Sequence, residues 1–277
     1  MLVDPFMKNN LKSLIKYGTY SLSLIETKCK LLIKYGTFDF FDDVNIEINT
    51  SCNRRCEYCP NSVYDRGLLK NEKLMNEEIF KKIINQLAEI KFDGRISPHF
   101  YGEPLLDKRI ITFVKFIREK LPKSKISIYS NGDFLTVEKY EELVHAGVNL
   151  FVITQHSKEM NKNIKELFKY LKNNRSKKII YEKITSATPL YNRGGLVKPI
   201  KMNYKPRCSL FDNPLIIDHA GNVLLCCNDY HSSIKFGNIN EKNLLEIWNS
   251  TFYKEIRKQI KNYDHKLDIC QKCVGLK

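Results

Sequence analysis

The eight residues Cys52 to Cys59, CNRRCEYC, set three cysteines at C-x3-C-x2-C spacing directly behind the strand-like run VNIEIN. The chain holds nine cysteines, an odd number, and Cys208, Cys226, Cys227, Cys270 and Cys273 crowd toward its C-terminal end. The opening MLVDPFMKNN has neither an apolar core nor a cleavage site of the secretory kind, so a cytoplasmic, reducing setting is expected. Clustered cysteines there serve metal or redox chemistry rather than disulfides. The number three is informative in itself. A [4Fe-4S] cube that only carries electrons takes four cysteines, so three would leave one iron open to a small molecule. A zinc site is the alternative for the same thiolates.

A chain of 277 residues suits one large domain, or one and a half, with a true core. It contains no run of eighteen or more apolar residues, so no transmembrane segment is expected. Against 31 Asp and Glu stand 46 Lys and Arg, a formal net charge of +15. The excess is mostly lysine dispersed along the chain, without a nucleic-acid-binding signature, and no nucleic-acid partner is expected.

Residues 1–40 form a basic, partly helical extension carrying LIKYGTY at Leu14 and LIKYGTF at Leu32, an offset of eighteen residues. One continuous helix would bring both copies to one side, although Gly18 and Gly36 weaken it, and a helical pair is the simpler reading. Residues 41–201 alternate short β-branched runs with helical ones, near 76–91, 108–121, 136–146 and 159–173, the βα rhythm of a parallel sheet or partial barrel. In such folds chemistry gathers where strands end. There stand the cysteine loop, Gly102-Glu103-Pro104, Ser130-Asn131-Gly132 and Gln155-His156. Residues 202–277 read as a smaller module: a hairpin turning at Ala220-Gly221-Asn222, one helix from about 243 to 261, and Cys270-x2-Cys273.

The C-x3-C-x2-C signature, with YGEP after the second strand and YSNGD after the third, resembles the radical S-adenosylmethionine (SAM) superfamily. That resemblance implies an α/β partial barrel in which Cys52, Cys56 and Cys59 hold a [4Fe-4S] cluster and SAM occupies the open iron. It also implies that Gly102 and Glu103 receive the SAM amino group, that Tyr58 lies beside the adenine and that Ser130 and Asn131 hold the ribose. Tyr101 stands where the family's first glycine is usual. Gln155 and His156 are added as cofactor contacts at a strand end, although His156 reads equally well as a packing residue. Cys208, Gly221, Cys226 and the Cys270-x2-Cys273 pair look like a Twitch auxiliary-cluster domain, implying a second [4Fe-4S] cluster on Cys208, Cys226, Cys270 and Cys273, with four-cysteine zinc as the competing reading. Cys29 is left over and reads as inert.

Further runs, GRISPHFYGEPLL, ITQH, NRGG and GNVLLC, resemble the superfamily's dehydrogenases of aminocyclitols such as 2-deoxy-scyllo-inosamine. The resemblance implies oxidation of a secondary alcohol to a ketone through a 5′-deoxyadenosyl radical, the auxiliary cluster taking the second electron. A flavodoxin- or ferredoxin-type protein would be the electron donor. Arg193 of NRGG is the expected contact to the reacting hydroxyl. It holds its proton too firmly for a resting base and would instead hydrogen-bond and stabilise alkoxide charge. Tyr101 joins it at the cavity. Cys227 stands where those dehydrogenases carry phenylalanine, which opens an epimerase alternative with Cys227 as hydrogen-atom donor; a tolerated small residue is the plainer reading. A peptide-modifying maturase is a further alternative, although residues 1–40 lack the strand pattern that would capture a peptide.

Overall fold

The five β-branched runs pair in chain order. In the computed structural model, which describes residues 22–174, 178–185, 188, 190–198, 208 and 214–277, β1 (Asp43–Ile46), β2 (Arg95–Ser97), β3 (Lys125–Ser130), β4 (Leu150–Gln155) and β5 (Ile179–Lys183) lie parallel in the order β5-β4-β3-β2-β1. The connecting helices are α2 (Glu77–Glu89), α3 (Ile110–Lys120), α4 (Val137–Ala146) and α5 (Lys162–Asn174). In α2, Phe80, Ile83, Ile84 and Leu87 recur at helical spacing and are all buried, as an amphipathic helix on a sheet requires. Asn76 caps its start by accepting from the Glu78 N–H, 2.7 Å away. Gly147, at φ +117°, ends α4.

The sheet does not stop where the βα rhythm stops. β6 (Pro214–Ile217) lies parallel to β1, with Asp43 opposite Pro214 and Ile46 opposite Ile217. β7 (Asn222–Leu224) and β8 (Lys235–Asn238) then add antiparallel. Among the described residues the result is one eight-stranded sheet, β5-β4-β3-β2-β1-β6-β7-β8, with β5 and β8 at its edges. The α/β class and the hairpin are as expected, and the sheet is continuous across the division placed at 201/202. The turn between β6 and β7 is built by Asp218, whose Oδ1 accepts the N–H groups of Ala220 and Asn222, with Gly221 at φ +83°.

The helix expected from 243 to 261 is two, α6 (Leu244–Asn249) and α7 (Thr251–Lys261). Ser250 turns out of the helical region, at ψ 144°, and caps α7 instead. A last short helix, α8 (Asp268–Cys273), carries the CxxC pair.

The described residues divide into two units, one ending at Asp42 and the other beginning at Asp43. In the first, α1 (Leu22–Tyr35) ends at Gly36, at φ +70°, and the Tyr35 ring stacks on Phe40 at 3.9 Å. The helix therefore breaks inside the second LIKYGTF copy; the first copy lies outside the described residues. No helix among the described residues is long and apolar enough to cross a membrane.

Candidate active site

A cleft of about 320 Å³ opens along the inner wall of the partial barrel, and Cys52, Cys56 and Cys59 all line it. Their loop is held by backbone on both sides. Cys52 N–H donates to the Gly67 carbonyl at 3.0 Å, and Glu103 N–H donates to the Ser51 carbonyl at 2.8 Å. Gly102 has no alternative, because a Cβ there would meet the Asn49 carbonyl oxygen at 2.3 Å. Asp133 then ties three loops together. It accepts from Nε and Nη2 of Arg54, both at 2.6 Å, from Asn53 Nδ2 at 2.8 Å and from Asn161 Nδ2 at 3.2 Å. Asn131 joins the same lattice, donating from Nδ2 to Asn53 Oδ1 at 2.8 Å.

Glu103 is buried beneath this loop. Its Oε1 accepts from the Ser130 hydroxyl at 2.7 Å and the Leu105 N–H at 3.1 Å, and its Oε2 from the Asn131 N–H at 2.9 Å. Burial pushes its acid up to about 7 in spite of these donors. One lone pair on Oε2 is left for a further donor, as a bound ammonium would supply. Ser130 spends its single hydroxyl hydrogen on Glu103 and accepts from Gly132 N–H at 2.9 Å, so toward a ribose it can act only as an acceptor.

Tyr58 and His156 both line the cleft and meet each other, Oη to Nδ1, at 2.5 Å. Gln155 is not among the residues that line the cleft with them. On β4 its side chain alternates to the opposite face from its neighbours Thr154 and His156, which do line the cleft. Its amide donates to the carbonyls of Ser157 and Lys158 at 2.8 and 3.1 Å, and its oxygen accepts from Tyr181 Oη.

The second cysteine set lies around α8. Cys226 and Cys270 are buried, Cys208 and Cys273 half-buried, and the four lie close enough for charge on one to raise another: Cys226 feels Cys208 and Cys273, and Cys270 feels the same two. Asn228 serves the set twice, its N–H toward Cys226 Sγ and its Nδ2 toward Cys273 Sγ, each at 3.4 Å. The NRGG turn is docked on α8. Asn192 Nδ2 donates to the Lys272 carbonyl at 2.9 Å, and a Cβ on Gly194 or Gly195 would meet Ile269 at 2.9 Å or Lys272 at 3.0 Å. Arg193, Gly194 and Gly195 all have positive φ, 52°, 71° and 88°. For arginine this is strained backbone held by its surroundings. Burial pushes the Cys59 and Cys273 thiols up, and Arg193, which lines the cleft, offsets part of that at both. Cys227 lines it too, and its carbonyl accepts from Tyr101 Oη at 2.9 Å.

All seven predicted ligand cysteines are free of disulfides. Burial, the largest cause, pushes Cys52 up to about 11 and Cys270 up to about 12, as for thiols with no compensating cation. Sets of three and four thiols without imidazole or carboxylate fit iron-sulfur clusters or zinc. Among the described residues no three metal-ligating side chains converge on a single ion.

The cleft also contains residues that sequence reasoning passed over: Asn45, Arg54, Asn61, His99, Tyr129, Thr154 and Ile216. Several sit within strands rather than at their ends. The signal that could have found them is alternation, since Thr154 is two residues before His156, and His99 two before Tyr101.

Residues 46–202 match the radical SAM superfamily model, which is more than half of the chain, and residues 208–274 match an iron-sulfur cluster-binding domain model. This chain belongs to the radical SAM superfamily. With membership come SAM and a [4Fe-4S] cluster for the first region and an auxiliary iron-sulfur cluster for the second. The chain is 35% identical over 236 residues, 84% of its length and 92% of the relative's, to the S-adenosyl-L-methionine-dependent 2-deoxy-scyllo-inosamine dehydrogenase of Niallia circulans. Among solved structures it resembles BtrN in complex with AdoMet and 2-DOIA, with a TM-score of 0.76 and 35% identity over 84% of this chain and 93% of that one. An open conformation of BtrN matches at a TM-score of 0.66 and 31% identity, covering 84% and 92%.

Proposed function

We propose that this radical SAM enzyme oxidises a secondary alcohol of an aminocyclitol or sugar to a ketone, with 2-deoxy-scyllo-inosamine as the first substrate to try. The observation that carries the reading is that one cleft is lined both by Cys52, Cys56 and Cys59 and by Arg193 and Cys227, neighbours of the second cysteine set. An alcohol bound between them lies next to both thiol sets. Cys52, Cys56 and Cys59 would hold the SAM-binding cluster, and Cys208, Cys226, Cys270 and Cys273 the auxiliary one. When loaded, SAM and its cluster supply a carbon radical able to take a hydrogen atom from a carbinol carbon, and the second cluster supplies an acceptor for the remaining electron.

The chain's own residues position and stabilise. Glu103 accepts the SAM ammonium, Tyr58, braced by His156, faces the adenine, and Asn131 with Ser130 as acceptor takes the ribose. Arg193 donates to the reacting hydroxyl and stabilises negative charge as its proton leaves, a role suited to a guanidinium that keeps its own proton. Its strained backbone aims it into the cleft. Tyr101, held by the Cys227 carbonyl, closes the wall beside it. A cytoplasmic flavodoxin- or ferredoxin-type protein would deliver the starting electron.

One observation favours a second reading, epimerisation: the Cys227 side of the cleft offers a thiol where a hydrogen atom could be returned. The two are separated on anaerobically reconstituted protein given SAM, a reductant and 2-deoxy-scyllo-inosamine. The dehydrogenase reading expects 5′-deoxyadenosine and ketone in equal amounts, unchanged in Cys227→Ala. An epimer as product, lost in Cys227→Ala, would replace it. Iron should number about eight per chain and fall to about four when Cys52, Cys56 and Cys59 become alanine; about four falling to none would remove the electron acceptor.

A further inference from the structure

The inner wall of the cleft carries a polar patch that the reading above leaves unused. Asn45 of β1 and Ser97 of β2 are partners across the parallel ladder, so their side chains share a face, and Asn45 lines the cleft. Two residues beyond Ser97, His99 lines it as well. The His99 ring stacks on Tyr129 of β3, centroids 4.7 Å apart and planes within 17°, which fixes its plane. Ser97 is fully buried, and neither its Oγ nor the buried Nδ1 of His99 has a hydrogen-bond partner.

That pair is conspicuous beside its surroundings. Glu103, Ser130, Asn61 and Asp133, polar side chains of the cleft and its loops, have partners, and the open Oδ1 atoms of Asn192 and Asn228 belong to side chains that reach the second cysteine set and α8 rather than this wall. Buried polar atoms are nearly always satisfied, so the open Nδ1 of His99, on a ring that lines the cleft, calls for a partner. Burial holds His99 down to about 4, so its ring is neutral and offers one donor and one acceptor. The nearby guanidinium of Arg95 is already taken by both oxygens of Asp43. Neutral nitrogen, a hydroxyl and the faces of Tyr129 and Ile216 suit a ring hydroxyl, not a phosphate or carboxylate.

We propose that His99, backed by Ser97, is a specificity-determining contact for a hydroxyl of a polyhydroxylated ring, at a carbon other than the one facing Arg193. This rests on the alcohol-oxidation reading and deepens it: Arg193 selects which carbon reacts, His99 which ring is accepted.

The test is titration calorimetry on anaerobically reconstituted holoenzyme, first with SAM, then on SAM-saturated protein with 2-deoxy-scyllo-inosamine, myo-inositol and glucosamine. His99→Phe keeps a ring over Tyr129 and deletes both nitrogens; His99→Asn returns a polar atom near the position of Nδ1. Both variants are expected to bind SAM as wild type does. His99→Phe should bind the preferred polyol about tenfold more weakly, with His99→Asn restoring most of the loss, the effect of one hydrogen bond. Ser97→Ala removes one oxygen and little volume, and serves if His99→Phe does not fold; a loss of about threefold is expected there. Polyol affinity unchanged in His99→Phe, or in Ser97→Ala where the former does not fold, overturns the assignment. So does a loss confined to SAM, which would make His99 a cofactor contact. Wild type that binds none of the three polyols would instead retire the alcohol-oxidation reading, and this inference with it.

Discussion

Gln155 spends three hydrogen bonds on the loop that follows β4 and on Tyr181, with its amide buried. Replacing it with leucine strands two carbonyls and a phenol, and we expect a stability loss of about 1–3 kcal/mol. Chemical denaturation reads that loss, while SAM affinity should not move; weaker SAM binding at unchanged stability would restore Gln155 to the cofactor site. His99 permits a prediction of sign. Its folded pKa lies near 4 against an ordinary 6.5, so the unfolded chain takes up a proton first as pH falls, and native stability drops between pH 6.5 and 4. From pH 7.5 to 5.5 the drop due to His99 should be about 1 kcal/mol, absent in His99→Asn, as read by urea midpoints of the two proteins. Gln155 also marks a limit of sequence reading at this scale. The ITQH run is visible as a strand end, but whether glutamine or histidine faces inward depends on a one-residue phase that the sequence does not print.

Loops, not strands, carry most of the site, and their mutual fit depends on Asp133. It joins the cysteine loop through Asn53 and Arg54, its own loop through Asn131, and the start of α5 through Asn161 and Asn163. Asp133→Asn would leave Arg54, which is only partly exposed, without its ion pair. We expect a loss of about 2 kcal/mol together with faster loss of iron on anaerobic dialysis; a variant that loses stability but keeps iron as wild type does would show that the lattice serves the fold alone. Elements were easiest to read where they carry periodic apolar residues, as in α2. The break at Ser250 leaves its mark as a change of phase, since on one continuous helix the buried Leu244, Ile247 and Trp248 of α6 would lie about half a turn round from Tyr253, Ile256 and Ile260 of α7, and the serine followed by TFY is the cap. The short β8, KFGN, has too few β-branched residues to announce itself.

At the scale of the whole molecule, β6 continues the sheet from β1, so the C-terminal module is part of the barrel wall. A chain ending before Pro214 would uncover the edge of β1 with Val44 and Ile46, both buried here. We expect that fragment to aggregate on expression, as bare apolar sheet edges do; recovery of a soluble monomer that still binds SAM would contradict this. Composition and rhythm made the two modules legible, but the pairing that joins them is non-local, and nothing near Pro214 in the sequence names β1 as its neighbour. The same pairing has a consequence for the order of assembly. Tyr101, past the end of β2, donates to the Cys227 carbonyl at 2.9 Å, and Tyr230, past the end of β7, donates to Asn61 beside the first cysteine loop at 2.9 Å. Residues of both thiol sets thus border one cleft, whose wall stays unfinished until the last strands to be synthesised have paired with the first.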